Sequence, residues 1–283
     1  MAPLMGRVAS PLSSIGGQVV RLGTQGIPMK ALTPDGGALR DTFVRDGYVQ
    51  LPGFRAGEEL AEIERNLTRF IDEIVPTLPS DEVFYEDKRD RTSLKQIQRM
   101  HDHDPFFKQL IVEGPFRVVA EQLLGDRVVP KNLQYFNKPP GVGQPTPPHQ
   151  DGFYFMLDPC EAVTMWFGLD EVDAENGCVR YLPGSNRQGM RPHTPSDTLG
   201  FSQSIANYGP ADSASEVAAV ARPGDLLAHH ALTVHLAGAN RSVNRQRRSL
   251  GFIYYSQSAR VDEAKHQEYR RRLVQELAAS GKI

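Results

Sequence analysis

Residues 162–185 read AVTMWFGLDEVDAENGCVRYLPGS and contain two short apolar runs joined by a polar, turn-forming segment. Runs of this length, rich in β-branched and aromatic residues and bounded by Gly, Pro, Asn or Asp, predict β-strands. Similar runs occur on both sides of this stretch, and they are LQYFNKPPG, GFYFMLDP, GDLLAHHALTVH and SLGFIYYS. The sequence therefore predicts a mainly β core over residues 128–257, in the form of a β-sandwich or jelly roll with helices packed outside it.

Helical patterns lie on both sides of this predicted core. Apolar residues recur at helical spacing before it, and they are Leu60, Ile63, Leu67, Ile71 and Val75. Residues 104–125 predict two helices that are interrupted at Gly114-Pro115, with Gly125 ending the second. A short helix over 38–45 and a strand over 48–51 are also expected near the start of the ordered chain.

The predicted organisation is a single domain that spans residues 35–283. Its parts are a helical N-terminal part (35–127), the jelly-roll core (128–257) and a C-terminal helix (260–281). Residues 1–34 contain no acidic side chain and are rich in Ser and Gly. This composition is typical of a flexible leader and also of an organelle-targeting segment. We therefore expect a cytoplasmic protein, with organelle targeting by residues 1–34 as the alternative.

Charge and composition exclude several classes of partner. The formal net charge of −2 on 283 residues includes no basic block of the kind that binds nucleic acid. No apolar run approaches the ~18 residues that would span a membrane. The two cysteines, Cys160 and Cys178, are too few for a secreted disulfide scaffold. We therefore expect a small-molecule substrate, and a monomer or weak homo-oligomer.

The stretch PPHQDGFY, residues 147–154, places His149 and Asp151 two positions apart. If Asp151 begins a strand, both side chains point to the same face. An imidazole and a carboxylate together suit iron(II) or manganese. A polar turn with a hydrogen-bonded aspartate is the alternative interpretation, so a third ligand is needed to support a metal site.

A third ligand is available in GDLLAHHALTVHLAGANRS, residues 224–242. His235 ends an apolar run and precedes small residues, which fits a ligand beside open space. His229 and His230 lie in the same segment, so position alone does not choose among the three. Two histidines and one carboxylate would form the facial triad of non-haem iron oxygenases.

Arg247 and Arg248 precede the apolar run SLGFIYYS. Neighbours on a strand alternate faces, so one arginine points into the core, where a cation is unfavourable without an anionic partner. A guanidinium matches a carboxylate at two points. Either a dicarboxylate cosubstrate or a core Asp or Glu would therefore satisfy it.

Taken in order, these segments resemble the phytanoyl-CoA dioxygenase (PhyH-like) family of iron(II)- and 2-oxoglutarate-dependent oxygenases. The matching motifs are NKPPG…PPHQDGFYF, VTMWFGLDEVDAENGCVRYLPGSNRQG and GDLLAHHALTVHLAGANRS…RRSL, within residues 37–256. The resemblance implies a double-stranded β-helix (jelly-roll, cupin-like) core. It also implies that His149, Asp151 and His235 bind iron(II), and that 2-oxoglutarate and O2 are cosubstrates.

The resemblance further implies which residues contact the cosubstrate. Family members usually carry an arginine about 11 residues after the distal histidine, but that position here is Gln246. Aligning the strand itself selects Arg247, with Arg248 as the alternative. The other expected contacts are Trp166, Asn132 and Gln134.

The implied activity is hydroxylation of a C–H bond of a small molecule, with release of succinate and CO2. Acyl and carboxylate-bearing compounds are candidate substrates. The resemblance places Asp151 where halogenating relatives have a small residue, which argues against halogenation. Two alternatives remain: a non-catalytic jelly-roll binding or sensing protein, and a metal-dependent cupin enzyme that does not use 2-oxoglutarate.

Overall fold

A computed structural model describes residues 36–198 and 201–279. The helices are α1 (Gly36–Asp46), α2 (Gly57–Arg69), α3 (Met100–His103), α4 (Pro105–Val112), α5 (Pro115–Leu124), α6 (Gly152–Phe155), α7 (Pro210–Ala214) and α8 (Glu263–Ala279). The strands are β1 (Tyr48–Leu51), β2 (Val83–Tyr85), β3 (Leu94–Ile97), β4 (Val128–Phe136), β5 (Thr146–His149), β6 (Leu157–Asp158), β7 (Ala162–Gly168), β8 (Val179–Tyr181), β9 (His193–Thr198), β10 (Phe201–Ile205), β11 (Val217–Ala219), β12 (Leu226–His230), β13 (His235–Ala237), β14 (Ser249–Ser256) and β15 (Arg260–Val261).

Two antiparallel sheets form the core. The large sheet has the strand order β1-β12-β7-β14-β4-β3-β2, and the small sheet has the order β11-β8-β13-β5. The two sheets meet face to face, since Tyr181 of the small sheet stacks on Tyr48 of the large sheet with ring centroids 4.4 Å apart. This architecture confirms the predicted mainly β, jelly-roll fold with flanking helices.

The large sheet is covered on both faces, which explains its apolar central strand. On the outer face, Phe252 stacks on Phe116 of α5 with centroids 3.8 Å apart, and Phe167 meets the same ring edge-on at 5.4 Å. The inner face looks toward the small sheet and carries the alternate residues of the same strands. Burial on both faces requires the nearly continuous apolar run that β14 shows.

Several local predictions are confirmed at the helix ends. The break at Gly114 separates α4 from α5, and Gly125 ends α5 with a left-handed φ of 66°. The π-helical segment Phe70–Ile74 interrupts the expected periodicity after α2. As a result, Phe70 is fully buried and the predicted Ile71 is only half-buried.

Two segments differ from the sequence-based expectation. Within the helical N-terminal part, the polar segment at residues 79–98 carries no predicted element, but β2 and β3 lie there and extend the large sheet. Their polar character hid them, because Lys95 of β3 is buried and paired with Glu86 at 3.2 Å. The run GFYFMLDP, predicted as a strand, forms the helical turn α6 followed by the short strand β6.

The remaining predictions concern the chain ends. The C-terminal helix is present as α8, and the last two residues of its predicted range, 280–281, lie outside the described residues. Residues 1–34 also lie outside them, and the domain boundaries stay predictions. In the part of the chain that the structure describes, no helix is both long enough and apolar enough to cross a membrane.

Candidate metal centre

His149 and Asp151 lie at the junction of β5 and α6. His149 is the last residue of β5, whereas Asp151 has helical backbone angles (φ −59°, ψ −33°) directly before α6. The expectation that Asp151 begins a strand is therefore wrong. The helical turn nevertheless brings Asp151 Oδ1 to 3.4 Å from His149 Nε2. A turn, and not strand alternation, joins the two side chains.

The third residue comes from the neighbouring strand of the small sheet. His235 begins β13 and lies directly opposite His149 in the β13–β5 register. Its Nε2 is 3.7 Å from Asp151 Oδ1. One donor atom from each of the three residues lies within 4.8 Å of the others, so the group can hold a metal ion. Among the described residues, His235 is the histidine of its segment that belongs to this group.

Both imidazoles present Nε2 to the shared point. His149 Nδ1 lies 2.8 Å from the Pro147 carbonyl oxygen, and His235 Nδ1 lies 3.0 Å from the Thr233 carbonyl oxygen. A carbonyl only accepts hydrogen bonds, so each Nδ1 carries the proton and each Nε2 keeps its lone pair. Two neutral nitrogens and the Asp151 carboxylate form the donor set of an iron(II) facial triad.

The environment keeps these groups in the forms that bind a cation. Burial, assisted by the neighbouring His229 and His149 rings, lowers the pKa of His235 well below its usual range. Burial alone would raise the pKa of Asp151, but the surrounding histidines hold that pKa well below its usual range. At neutral pH, a neutral imidazole therefore stands beside an ionised carboxylate, and neither must release a proton to bind metal.

The two arginines before β14 point in opposite directions, as strand alternation requires. Arg248 binds Asp170 at two points, with nitrogen–oxygen distances of 2.7 and 3.1 Å. Arg247 is 5% exposed, and its guanidinium carbon lies 4.9 Å from the Trp166 ring centroid. Within residues 36–198 and 201–279, no carboxylate oxygen lies within 4.0 Å of Arg247. Burial lowers the pKa of this guanidinium to about 10.

Gly177 orients the buried arginine. Its carbonyl oxygen accepts a hydrogen bond of 3.1 Å from Arg247 Nε. The backbone there has φ +87°, and an added β-carbon would lie 2.5 Å from the Gly238 carbonyl oxygen. Glycine is therefore required at this turn for both conformation and close approach.

The predicted amide residues lie on β4, in the large sheet. Gln134 pairs in register with Gly251 of β14 and accepts a hydrogen bond of 2.8 Å from Gln96. Asn132 is two residues earlier, so it shares the face of Gln134, and its oxygen accepts from the Arg99 backbone N–H. In both side chains the amide oxygen is already engaged, which leaves the amide nitrogen as the available donor.

Two buried donors that are near Arg247 in space or in sequence have no hydrogen-bond partner among the described residues. They are Trp166 Nε1 and Ser249 Oγ. Ser249 follows Arg247 by two positions and therefore shares its face, a spacing that sequence analysis did not use. An unsatisfied buried donor costs about 1–3 kcal/mol. Two such donors around an unpaired guanidinium fit a carboxylate-bearing ligand.

Lys138 is a second buried cation that sequence analysis missed. It is 6% exposed, and its backbone N–H donates to the Arg247 carbonyl oxygen at 3.3 Å. Its ammonium group donates to the Gln144 carbonyl oxygen and to the Thr146 hydroxyl. Burial, with the nearby Arg247 charge, lowers the pKa of Lys138 well below its usual range. Two buried basic residues, Lys138 and Arg247, are therefore joined through their backbones.

Comparison with known proteins adds a family assignment to this geometry. The sequence model of the family described as phytanoyl-CoA dioxygenase (PhyH) matches residues 43–249, more than half of the chain. The curated protein "Phytanoyl-CoA dioxygenase" of Arabidopsis thaliana is 25% identical over 246 residues. That alignment covers 75% of this chain and 85% of the relative.

Solved structures agree with the family match. The epimerase SnoN, in complex with Fe3+, alpha-ketoglutarate and nogalamycin RO, is 26% identical with a TM-score of 0.63. The similarity covers 80% of this chain and 86% of SnoN. EvdO2 from Micromonospora carbonacea var. aurantiaca, complexed with 2-oxoglutarate, is also 26% identical with a TM-score of 0.63, and the similarity covers 81% of this chain and 93% of EvdO2. A family match of this length, together with two histidines and an aspartate that converge on one point, shows that the chain belongs to the phytanoyl-CoA dioxygenase (PhyH) family of iron- and 2-oxoglutarate-dependent dioxygenases.

Proposed function

We propose that this chain hydroxylates a C–H bond of a small molecule, with iron(II), 2-oxoglutarate and O2. The observation that supports it most is a buried arginine without a carboxylate partner among the described residues, two residues before the strand β14 that follows the proposed metal ligand His235. A metal-dependent cupin enzyme that does not use 2-oxoglutarate does not need such a cation. The match to a dioxygenase family over residues 43–249 argues against a non-catalytic jelly-roll binding protein. Both alternatives are therefore less well supported.

Each residue of the site has a distinct proposed role. His149, Asp151 and His235 hold the iron through two nitrogens and one carboxylate oxygen. Arg247 binds the far carboxylate of 2-oxoglutarate at two points, because its fork of donors matches that group. The residues that line the same cosubstrate are Trp166, Ser249, Gln134 and Asn132, the last two through their amide nitrogens.

The bound iron and cosubstrate would supply the oxidation that no side chain here can perform. One oxygen atom of O2 ends in the substrate hydroxyl and the other in succinate, as 2-oxoglutarate loses CO2. The protein positions the two carboxylates of the cosubstrate between Arg247 and the triad. The triad residues act as ligands and transfer no protons.

Succinate release and an anaerobic spectrum together test this proposal. Purified protein with iron(II) and 2-oxoglutarate, kept free of O2, is expected to show a weak visible charge-transfer band. On exposure to O2, it should release succinate, and the variants Asp151→Ala and His235→Ala should show neither signal. If folded, iron-loaded wild-type protein shows no band and no succinate, the proposed function is wrong.

The product distinguishes hydroxylation from other oxidative outcomes. SnoN is described as an epimerase, so succinate release alone does not establish hydroxylation. We propose acyl and carboxylate-bearing compounds as the first substrates to screen, with labelled O2. One labelled oxygen atom in the product supports hydroxylation, and an unlabelled product with altered stereochemistry contradicts it.

We further propose that the chain works as a monomer or weak homo-oligomer in the cytoplasm. The ligands of the metal centre and the proposed cosubstrate residues all come from one chain. Size-exclusion chromatography with light scattering, and imaging of the protein with and without residues 1–34, test these two statements.

A further inference from the structure

The two oxygen atoms of the Asp151 carboxylate have different surroundings. Oδ1 faces the two ligand nitrogens, at 3.4 Å from His149 Nε2 and 3.7 Å from His235 Nε2. Oδ2 is turned the other way and accepts hydrogen bonds from Thr164 Oγ1 at 2.5 Å and His229 Nε2 at 3.1 Å. Only Oδ1 is therefore available to a cation between the two histidines.

Both donors to Oδ2 come from the large sheet. Thr164 of β7 and His229 of β12 are directly opposite each other in the register, so their side chains lie side by side on the inner face. The three metal-binding residues belong instead to the small sheet and to the turn after β5. The large sheet thus binds Oδ2 of the carboxylate, while the small sheet supplies the two imidazoles.

A buried tyrosine orients the His229 ring. Tyr181 is fully buried, and its hydroxyl lies 3.2 Å from His229 Nδ1. An ionised carboxylate only accepts, so His229 Nε2 must carry a hydrogen to bind Asp151. In a neutral imidazole Nδ1 is then the acceptor, and the Tyr181 hydroxyl donates to it. Tyr181 therefore selects the His229 tautomer that can donate to Asp151.

We propose that His229 is a positioning residue, which with Tyr181 behind it holds Asp151 as a one-oxygen metal ligand. This inference rests on the proposed function, because it assigns His229 a role toward the metal of that same site. A carboxylate that was free to rotate would offer both oxygens and occupy a position that the cosubstrate needs. Partners that orient metal ligands in this way typically contribute about 10- to 100-fold to metal affinity.

Neighbouring His230 provides a matched control. It is on the same strand, is also buried, and points to the opposite face, where its Nε2 lies 3.3 Å from a Glu161 carboxylate oxygen. It differs from His229 in having no contact with Asp151. Any effect of replacing a buried histidine on this strand as such should therefore appear at both positions.

The experiment compares two amides at position 229. In His229→Gln, the amide nitrogen can occupy the place of Nε2 and still donate to Asp151. In His229→Asn, the shorter amide reaches only the place of Nδ1, so the contact with Tyr181 can persist while the bond to Asp151 is lost. Affinity for Mn(II) alone, measured by electron paramagnetic resonance of the free ion, is the readout, and circular dichroism with thermal melting checks the fold.

The expected result is a difference between the two amides. His229→Asn should raise the Mn(II) dissociation constant about 10- to 100-fold, whereas His229→Gln should stay within about threefold of wild type. His230→Asn and His230→Gln should both stay within about twofold. Equal affinities of the two position-229 variants, whether both normal or both weak, would overturn the proposal.

Two further measurements distinguish a failure of this inference from a failure of the proposed function. If His229→Asn does not fold, Tyr181→Phe takes its place, and an increase of about threefold or more in the dissociation constant is expected. An unchanged constant in that variant overturns the proposal. If the wild type does not bind Mn(II), or still binds it after His149→Ala, the proposed function itself fails, independently of His229.

Discussion

Replacing Arg247 by methionine should separate folding stability from cosubstrate binding. Arg247 is 5% exposed, and its guanidinium has no carboxylate partner among the described residues. Burial lowers its pKa to about 10, which corresponds to about 3 kcal/mol of unfavourable free energy for the charged form. The variant removes this term but loses the hydrogen bond to Gly177, which contributes about 1.5–3 kcal/mol.

These opposing terms nearly cancel in the protein without 2-oxoglutarate. We expect the free energy of unfolding of Arg247→Met to lie within about 1.5 kcal/mol of wild type, which is a shift of at most about 5 °C in melting temperature. The affinity for 2-oxoglutarate should fall much more than the stability does. Losing two charge-assisted hydrogen bonds, at about 1.5 kcal/mol each, weakens affinity about 100-fold.

Trp166 supplies the assay, because it is the only tryptophan in the chain and lies 4.9 Å from the Arg247 guanidinium. Its fluorescence, followed during titration with 2-oxoglutarate in Mn(II)-loaded protein, reports the dissociation constant, and calorimetry provides an independent value. Arg248→Met is the matched control. It breaks the two-point contact with Asp170, so it should lower stability by about 1 kcal/mol and leave affinity unchanged.

Wild-type affinity in Arg247→Met, or an equal loss of affinity in Arg248→Met, would refute the proposed role of Arg247. So would a destabilisation of several kcal/mol in the metal- and cosubstrate-free Arg247→Met protein. That result would mean that the guanidinium is a structural group whose partner differs from the proposed cosubstrate.

Three further outcomes are expected. Mn(II) at 100 times its dissociation constant should stabilise the protein by about 2.7 kcal/mol and raise the melting temperature by about 5–10 °C. A chelator should reverse this stabilisation, and His149→Ala should abolish it. In metal-free protein, the pKa of His235 is lower in the folded state than in the unfolded state. The unfolded chain therefore binds more protons, and the free energy of unfolding should fall as the pH drops below about 6.5. Melting curves recorded with a chelator between pH 7.5 and 5.5 check this. The same dependence of melting temperature on pH in His235→Gln would contradict it. Gly251→Ala would place a β-carbon 2.8 Å from the Phe136 ring, so denaturant unfolding should show a loss of about 1–3 kcal/mol.

The strands of the core were predictable because burial on both faces demands apolar runs. β7, β12 and β14 all satisfy that demand, and each was expected from its sequence. β3 was not, because its LKQI sequence buries a lysine whose ion partner, Glu86, precedes it by nine residues. Hydropathy cannot identify a strand whose polar residues are satisfied by contacts within the fold.

The convergence of the three candidate metal ligands was predictable, but their local geometry was not. His149 and Asp151 were expected to converge by strand alternation, and they converge through a helical turn. That turn depends on Gly152, whose backbone N–H donates to the Ala231 carbonyl oxygen and where a β-carbon would lie 2.5 Å from Cys160 Sγ. Both contacts join residues distant in sequence or hidden by packing, so spacing alone could not reveal them.

The charges of the site explain why metal and cosubstrate should bind as a pair. Asp151 and Arg247 carry opposite charges but do not pair with each other. Asp151 lies beside the two histidines, and Arg247 donates to the Gly177 carbonyl oxygen. If they bind as proposed, iron(II) would add two positive charges beside Asp151, and 2-oxoglutarate would add two negative charges beside Arg247. Either ligand alone would leave a large uncompensated charge in a buried region, which is unfavourable, whereas both together leave the net charge unchanged. The favourable coupling between them is reciprocal, so each should raise the affinity of the other by the same factor.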